Sequence, residues 1–125
     1  MTNPNRSTQV LDSEAVLGAM EHTLAMIEFD AQGNVLWANR NFADAVGYSV
    51  SEIKGMKHRQ FCTKDYAESP EYTVLWNNLR QGIQFQEKIQ RLTKDSRLIW
   101  LEATYMPVFQ DDRVTAVLKV ATDIN

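Results

Sequence analysis

Between Leu24 and Tyr48 the spacing of apolar and polar positions changes three times. Leu24 to Phe29 is short and apolar, the pattern of a strand. Asp30-Ala31-Gln32-Gly33-Asn34 follows, and Gly33 and Asn34 tolerate the positive φ of a tight turn. Val35 to Ala38 predicts a second strand. From Asn39 the period lengthens: Phe42, Ala45 and Val46 recur at i, i+3 and i+4, one face of a helix. Asn39 is placed to cap that helix and Gly47 to stop it. Ser49 with Glu52 three residues on forms a capping box and predicts a second short helix before Gly55.

The rest of the chain divides in the same way. Met1 to Thr8 is polar and is expected to be a mobile tail. Ser13 is a candidate N-cap, with Glu14 in the first turn, where the helix dipole favours an acid. Val10, Leu11, Val16, Leu17 and Met20 give this segment an apolar stripe, which could pack on its own domain or on a second copy as a dimer helix. Glu71 to Gln81 predicts a helix opened by Ser69-Pro70, with Tyr72, Leu75, Trp76 and Leu79 on one face and Gly82 after its end. Three strands follow, Ile83 to Leu92, Leu98 to Phe109 and Val114 to Ile124, with turns at Thr93 to Arg97 and Gln110 to Arg113. In the second of them Leu98, Trp100, Glu102 and Thr104 point one way and Ile99, Leu101, Ala103 and Tyr105 the other. The expected architecture is α+β: an antiparallel sheet with helices on one face and an N-terminal helix. Residues 1–20 form the tail and helix, and residues 21–125 the domain.

At 125 residues the chain holds one domain with a modest core. Net charge is −3 and no Lys/Arg block exists, which argues against a nucleic-acid surface. The single Cys excludes an internal disulfide and is compatible with the cytosol. No apolar run has the length of a membrane span. The sequence opens on Met1, as a natural N-terminus would, and stops at Asn125 directly after a strand, so a fragment of a longer protein is expected.

Candidate chemistry is sparse. His58 and Cys62 lie four residues apart, but two ligands do not close a zinc site, and His22 is the one other His. Cys62 reads as a small buried hydrophobe. No nucleophile elbow, phosphate loop or zinc-protease helix is present, so an enzyme is not expected. Asp111-Asp112 falls in a hairpin turn and reads as solvated. His58, between Lys57 and Arg59, reads as a surface residue on flanking charge alone. Trp37 and Trp100 lie on strands, where large aromatics commonly pack, and Trp100 is expected in the core, with an outer, dimer-forming face as its rival place.

Ile27, Asp30, Gly33, Val35, Asn39, Phe42, Gly47, Tyr48, Glu52, Ile53 and Gly55 resemble the PAS signature "I-x-x-D-x-x-G-x-I-x-x-x-N-x-x-F-x-x-x-x-G-Y-x-x-x-E-I-x-G" in identity and spacing. The later strands, with Trp100 and the closing Ala121-Thr-Asp-Ile124, resemble PAS domains as well. The resemblance spans roughly residues 20 to 125 and implies a five-stranded sheet in the order 2-1-5-4-3. Lys57-His58, Asp65-Tyr66, Leu75-Trp76 through Gly82, and Trp100 through Pro107-Val108 are particularly similar to aerotaxis-type receptors and related chemotaxis transducers. That resemblance implies a cytoplasmic sensory input module that reads redox state, oxygen or a small ligand. It also implies a downstream signalling domain in the same chain, while the apolar stripe from Val10 to Met20 leads to the expectation of a homodimer through the N-terminal helix. The competing class is a ligand-free dimerisation scaffold.

The resemblance implies a cofactor cleft between the Lys57–Gln81 helical region and the inner sheet face, with Trp76, His58 and Asn78 as lining candidates. FAD, haem or no cofactor are the alternatives. Trp76 matches the Trp that flavin-binding members place near the isoalloxazine, although Cys62-Thr63 replaces their Arg-His pair and removes a cation. For haem, His58 is the one candidate proximal ligand. Light-oxygen-voltage domains, a PAS subclass, carry their reactive Cys where this chain has His58; Cys62 is four positions too late for a flavin adduct.

Overall fold

A computed structural model describes residues 4–125, so Met1 to Asn3 of the expected tail lie outside the described residues. The first helix, α1, spans Ser13–Thr23 and is capped by Asp12, whose carboxylate accepts from the Ala15 N–H. Ser13 had been the expected cap; Asp12 one residue earlier brings a charged carboxylate, where Ser13 has a neutral hydroxyl, to the free N–H groups of the first turn. None of the residues of α1 is buried.

Strands β1 (Ala25–Asp30) and β2 (Val35–Ala38) follow, joined by the expected turn. Asp30 organises that turn by accepting from the Gln32 and Asn34 backbone N–H groups, each at 2.9 Å, and Gly33 adopts φ +85°. Helix α2 (Arg40–Val46) is capped by Asn39 and ends on Gly47 at φ +80°. Asn39 does more than cap. Its Oδ1 accepts from the Met26 and Phe42 N–H groups, and its Nδ2 donates to the carbonyls of Leu24 and Glu21. One side chain thereby joins the end of α1, the start of β1 and the start of α2. Helix α3 (Val50–Ile53) carries the expected Ser49–Glu52 capping box.

A 3₁₀ turn (His58–Phe61) and a one-turn helix α4 (Lys64–Ala67) lead to α5 (Pro70–Arg80), which is capped by Ser69. Strands β3 (Phe85–Leu92), β4 (Leu98–Gln110) and β5 (Arg113–Asp123) complete the sheet. The strand order is β2-β1-β5-β4-β3, and the described pairings are antiparallel, in the order that the PAS resemblance implied. The β4–β5 hairpin turns on Asp111 and Asp112, both at positive φ.

The core lies between the inner sheet face and α2 to α5. It gathers Ile27 and Phe29 from β1, Phe42 and Val46 from α2, Leu75, Trp76 and Leu79 from α5, and Leu101, Ala103 and Tyr105 from β4. Alternation along β4 is as read from the sequence, yet Trp100 belongs to its outer face and is 46% exposed. The expectation of a buried Trp100 is therefore corrected. The register pairs Trp100 with Gln90 of β3, and the helices lie on the opposite side of the sheet.

Candidate functional site

The inner cleft holds four polar groups in a hydrogen-bonded chain. His58 leaves the 3₁₀ turn and is 1% exposed. Its Nδ1 lies 2.9 Å from the Tyr72 hydroxyl on α5, and its Nε2 lies 2.7 Å from the Tyr105 hydroxyl on β4. Arg91 reaches in from β3 and donates from Nη2 to the Tyr105 oxygen at 3.0 Å and from Nη1 to the Gln90 carbonyl at 2.7 Å.

Arginine can only donate. Tyr105 therefore accepts from Arg91, and its own proton is free to go to His58 Nε2. With that donation the neutral His58 carries its proton on Nδ1 and donates to Tyr72, an assignment consistent with both contacts. The order of donation is Arg91 to Tyr105 to His58 to Tyr72.

His58 was expected at the surface because charged neighbours flank it in sequence. The tertiary structure buries it instead, because a 3₁₀ turn points successive side chains about a third of a turn apart, so Lys57 and Arg59 stay exposed while His58 turns inward. Rings of Phe29, Tyr72, Trp76 and Tyr105 surround it at centroid distances of 5.2, 5.5, 5.3 and 5.5 Å. Burial, reinforced by Arg91 and Lys119, pushes the imidazole well below its ordinary pKa and keeps it neutral.

Sequence reasoning missed Arg91, Lys119 and Tyr105 as site residues. Lys119 sits on β5, is 1% exposed, and places Nζ over the rings of Phe42 and Tyr105 at 5.2 and 5.1 Å. Burial pushes this amine well below the usual lysine range, and Arg91 adds to the shift. Arg91 is 2% exposed yet keeps its proton: burial works against the charge, the neighbouring Tyr105 works for it, and the net shift is upward. Tyr105 itself is pushed up to about 12 by burial. A signal for both residues was available. Arg91 falls in phase with inward Ile89, and Lys119 with inward Val117 and Ala121.

The structure brings Trp76 and His58 together. Trp76 packs edge-on against His58 and Phe29, and its ring lies 3.4 Å from where a Cβ on Gly33 would stand. Its indole Nε1 is buried without a hydrogen-bond partner. Asn78 lies apart from this pair. It lines a groove of about 460 Å³ between α5 and β3 with Tyr66, Val74, Leu75 and Phe85. Cys62 is buried beside His58, with Sγ 3.8 Å from Nδ1, and burial pushes its thiol up, away from the reactive thiolate. Among the described residues no group of three or more His, Cys, Asp or Glu side chains could hold a metal ion.

A haem does not fit this arrangement. The candidate ligand His58 has both ring nitrogens engaged, by Tyr72 and Tyr105, and offers no free nitrogen to an iron. A flavin finds a suitable donor set, because Arg91 Nε and Trp76 Nε1 are buried without partners and a flavin ring presents acceptors.

Residues 35–121 match the PAS fold family. The chain is 42% identical over 110 residues to the biofilm dispersion protein BdlA of Pseudomonas aeruginosa, an alignment covering 87% of this chain and 26% of that protein. It is 21% identical over 102 residues to the aerotaxis receptor of Escherichia coli, covering 82% of this chain and 20% of the receptor. The chain thus spans about a quarter or less of the length of these relatives. The PAS domain of a protein from Colwellia psychrerythraea superposes with TM-score 0.77 at 21% identity, covering 89% of this chain and 95% of that one. A light-oxygen-voltage domain studied with a flavin analogue superposes with TM-score 0.74 at 17% identity, covering 94% and 89%. The strand order, the two-helix entry after β2 and the family match over residues 35–121 agree, and the chain belongs to the PAS fold family.

Proposed function

We propose that this domain is a cytoplasmic sensory input module of a chemotaxis-type receptor, reading redox state, oxygen or a small ligand in its inner cleft. The similarity to the dispersion protein and the aerotaxis receptor supports the receptor class. The observation that carries the sensing role is the buried chain from Arg91 through Tyr105 and His58 to Tyr72, which crosses from the sheet to α5.

A ligand entering the cleft competes for these bonds and moves Tyr105 or Tyr72. Tyr105 lies on β4, and β4 also holds the end of the chain. The Asn125 side chain accepts from the Trp100 N–H at 2.8 Å and donates to the Trp100 carbonyl at 3.2 Å. A shift of β4 is therefore felt at Asn125, in the direction of the downstream signalling domain that the longer relatives suggest. Such a shift is a population change, and it is only as large as the ligand's preference for one arrangement over the other.

If a flavin is the occupant, it supplies reversible electron uptake. Arg91, Lys119 and Trp76 are the residues that would hold it, with Arg91 favouring added negative charge on the ring and Trp76 available to stack. The absorption spectrum of protein purified from cells tests this: bands near about 450 nm mean flavin and a Soret band means haem. A featureless spectrum leaves a colourless ligand or a ligand-free scaffold. Replacing this domain within its receptor, with loss of the behavioural response as the expected result, tests the sensory role itself; an intact response would overturn it.

A homodimer is supported by apolar surface left outside the core. Leu17 on α1 and Leu98, Trp100 and Val108 on the outer face of β4 are exposed. Burying such surface contributes roughly 25 cal/mol per Å². Sedimentation of a chain beginning at Glu21 is expected to show more monomer than the full chain; an unchanged dimer fraction removes α1 from the interface. Among the described residues no helix is long and apolar enough to cross a membrane.

A further inference from the structure

The cleft buries positive charge without negative charge. Among the described residues the buried polar or charged side chains are Asn39, His58, Arg91, Thr93 and Lys119, with no Asp or Glu among them. Buried charges are normally paired, because removing an ion from water costs several kcal/mol that only a close opposite charge offsets. The Tyr105 hydroxyl and the Gln90 carbonyl satisfy Nη2 and Nη1 of Arg91, while Nε has no partner. Lys119 approaches the same Tyr105 from its ring face. The group that completes this set is a planar anion with two acceptor oxygens, which matches the fork of a guanidinium.

Tyr66 stands between Arg91 and a solvent-open groove. The guanidinium lies over the Tyr66 ring, 5.3 Å from its centroid. Tyr66 stands on the one-turn helix α4 and lines the groove of about 460 Å³ between α5 and β3. The walls of that groove are apolar at Val74, Leu75 and Phe85, and Phe85 packs edge-on against Tyr105 at 5.7 Å. One half-buried tyrosine thus separates an apolar groove from a buried, incompletely paired cation. Glu71 and Glu87 stand exposed on the rim and disfavour a ligand with a second negative end.

Resting on the sensory reading of this same cleft, we infer that its ligand is an amphipathic monocarboxylate. The carboxylate binds Arg91 with Lys119 close by, and the apolar chain lies along Val74, Leu75 and Phe85. Tyr66 swings aside to admit the head group. Ligand binding then redirects Arg91 away from Tyr105, which is the first link of the buried chain.

The test is titration calorimetry and thermal melting of the 125-residue protein with octanoate, octan-1-ol and acetate. Octanoate is expected to bind and to raise the melting temperature, with acetate and octan-1-ol each at least about tenfold weaker, because each lacks one half of the recognition. Arg91→Gln should weaken octanoate by about tenfold to a hundredfold while leaving octan-1-ol unchanged. Val74→Asp, on an exposed wall of the groove, should weaken octanoate without disturbing the core, and it decides the matter if Arg91→Gln does not fold. Octan-1-ol binding as tightly as octanoate, or octanoate binding unaltered by Val74→Asp, overturns the assignment. Absence of octanoate binding in a domain that the receptor still needs for its response overturns the carboxylate ligand and leaves the sensory role standing.

Discussion

The two faces of β4 differ in what exposure does to the same kind of residue. On the inner face Ile99, Leu101, Ala103 and Tyr105 are buried under the helices. On the outer face Leu98, Trp100 and Val108 are comparably apolar and remain exposed. Alternation along a strand assigns residues to faces but does not say which face the helices cover. The contrast extends to charge. Inner positions on β3 and β5 carry Arg91 and Lys119, which burial forces into hydrogen bonds and ring contacts. Glu102, on the outer face of β4, stays in solvent. The inner face therefore concentrates charged and hydrogen-bonding groups, whereas the outer face leaves apolar area uncovered.

The largest test of this contrast is Tyr105→Ala. It removes a fully buried ring and strips partners from both Arg91 and His58, so a loss of about 3–5 kcal/mol is expected by denaturant unfolding. A loss below about 1 kcal/mol would mean that the inner network is not a structural unit.

Tyr105→Phe keeps the ring and removes the hydroxyl. It leaves a guanidinium nitrogen and an imidazole nitrogen unpaired in a buried site, and about 1–3 kcal/mol should be lost. The difference between the two variants separates ring packing from hydrogen bonding.

The next test is pH. The pKa of His58 in the folded protein lies well below the ordinary 6.5, so below that pH the unfolded chain binds a proton that the native state refuses. Stability therefore rises with pH through this window and falls as pH drops below 6.5, with a slope of up to about 1.4 kcal/mol per pH unit. Lys119 acts with the same sign, since its folded pKa is also depressed, and its contribution grows up to the ordinary 10.5. Urea unfolding across this range should show His58→Gln losing the slope below 6.5 and Lys119→Met losing the slope above it. A wild-type curve that is flat through pH 6 would contradict a neutral buried His58.

The smallest effect belongs to the outer face. Trp100→Ala should change the stability of a monomeric variant by less than about 1 kcal/mol, as expected for an exposed side chain away from the core. The same substitution should raise the monomer fraction in sedimentation if this face meets a second copy. A loss of about 3–5 kcal/mol in the monomer would restore the buried reading of Trp100 and erase the distinction between the two faces.

Most of the scaffold was legible in the sequence because it is specified locally. Asn39, Gly47, the Ser49–Glu52 box and Ser69-Pro70 each act within a few residues through a cap or a positive φ, and each holds its expected place. The motif containing them carried the strand order, since it is similar to a family whose topology is known, while periodicity alone is silent on pairing. The site was less legible. Trp76 was readable from a helical face, but its ring contact with His58 was not, because it depends on how the 3₁₀ turn packs against α5. Asn78 sits two positions along α5 from Trp76 and faces β3 rather than the His58 side, a rotation that depends on how α5 rests on the sheet.

The sequence by itself determined the main elements and the caps of α2, α3 and α5, because these depend on short-range sterics and hydrogen bonds, and its motif carried the family. Only the tertiary structure decided that His58 is buried, that Trp100 is not, and that Arg91 and Lys119 meet at Tyr105. These residues come from β3, β4, β5 and the 3₁₀ turn, separated by 14 to 47 positions where hydrogen bonds join them. Their charge states depend on desolvation, which is a property of the closed cleft rather than of any segment.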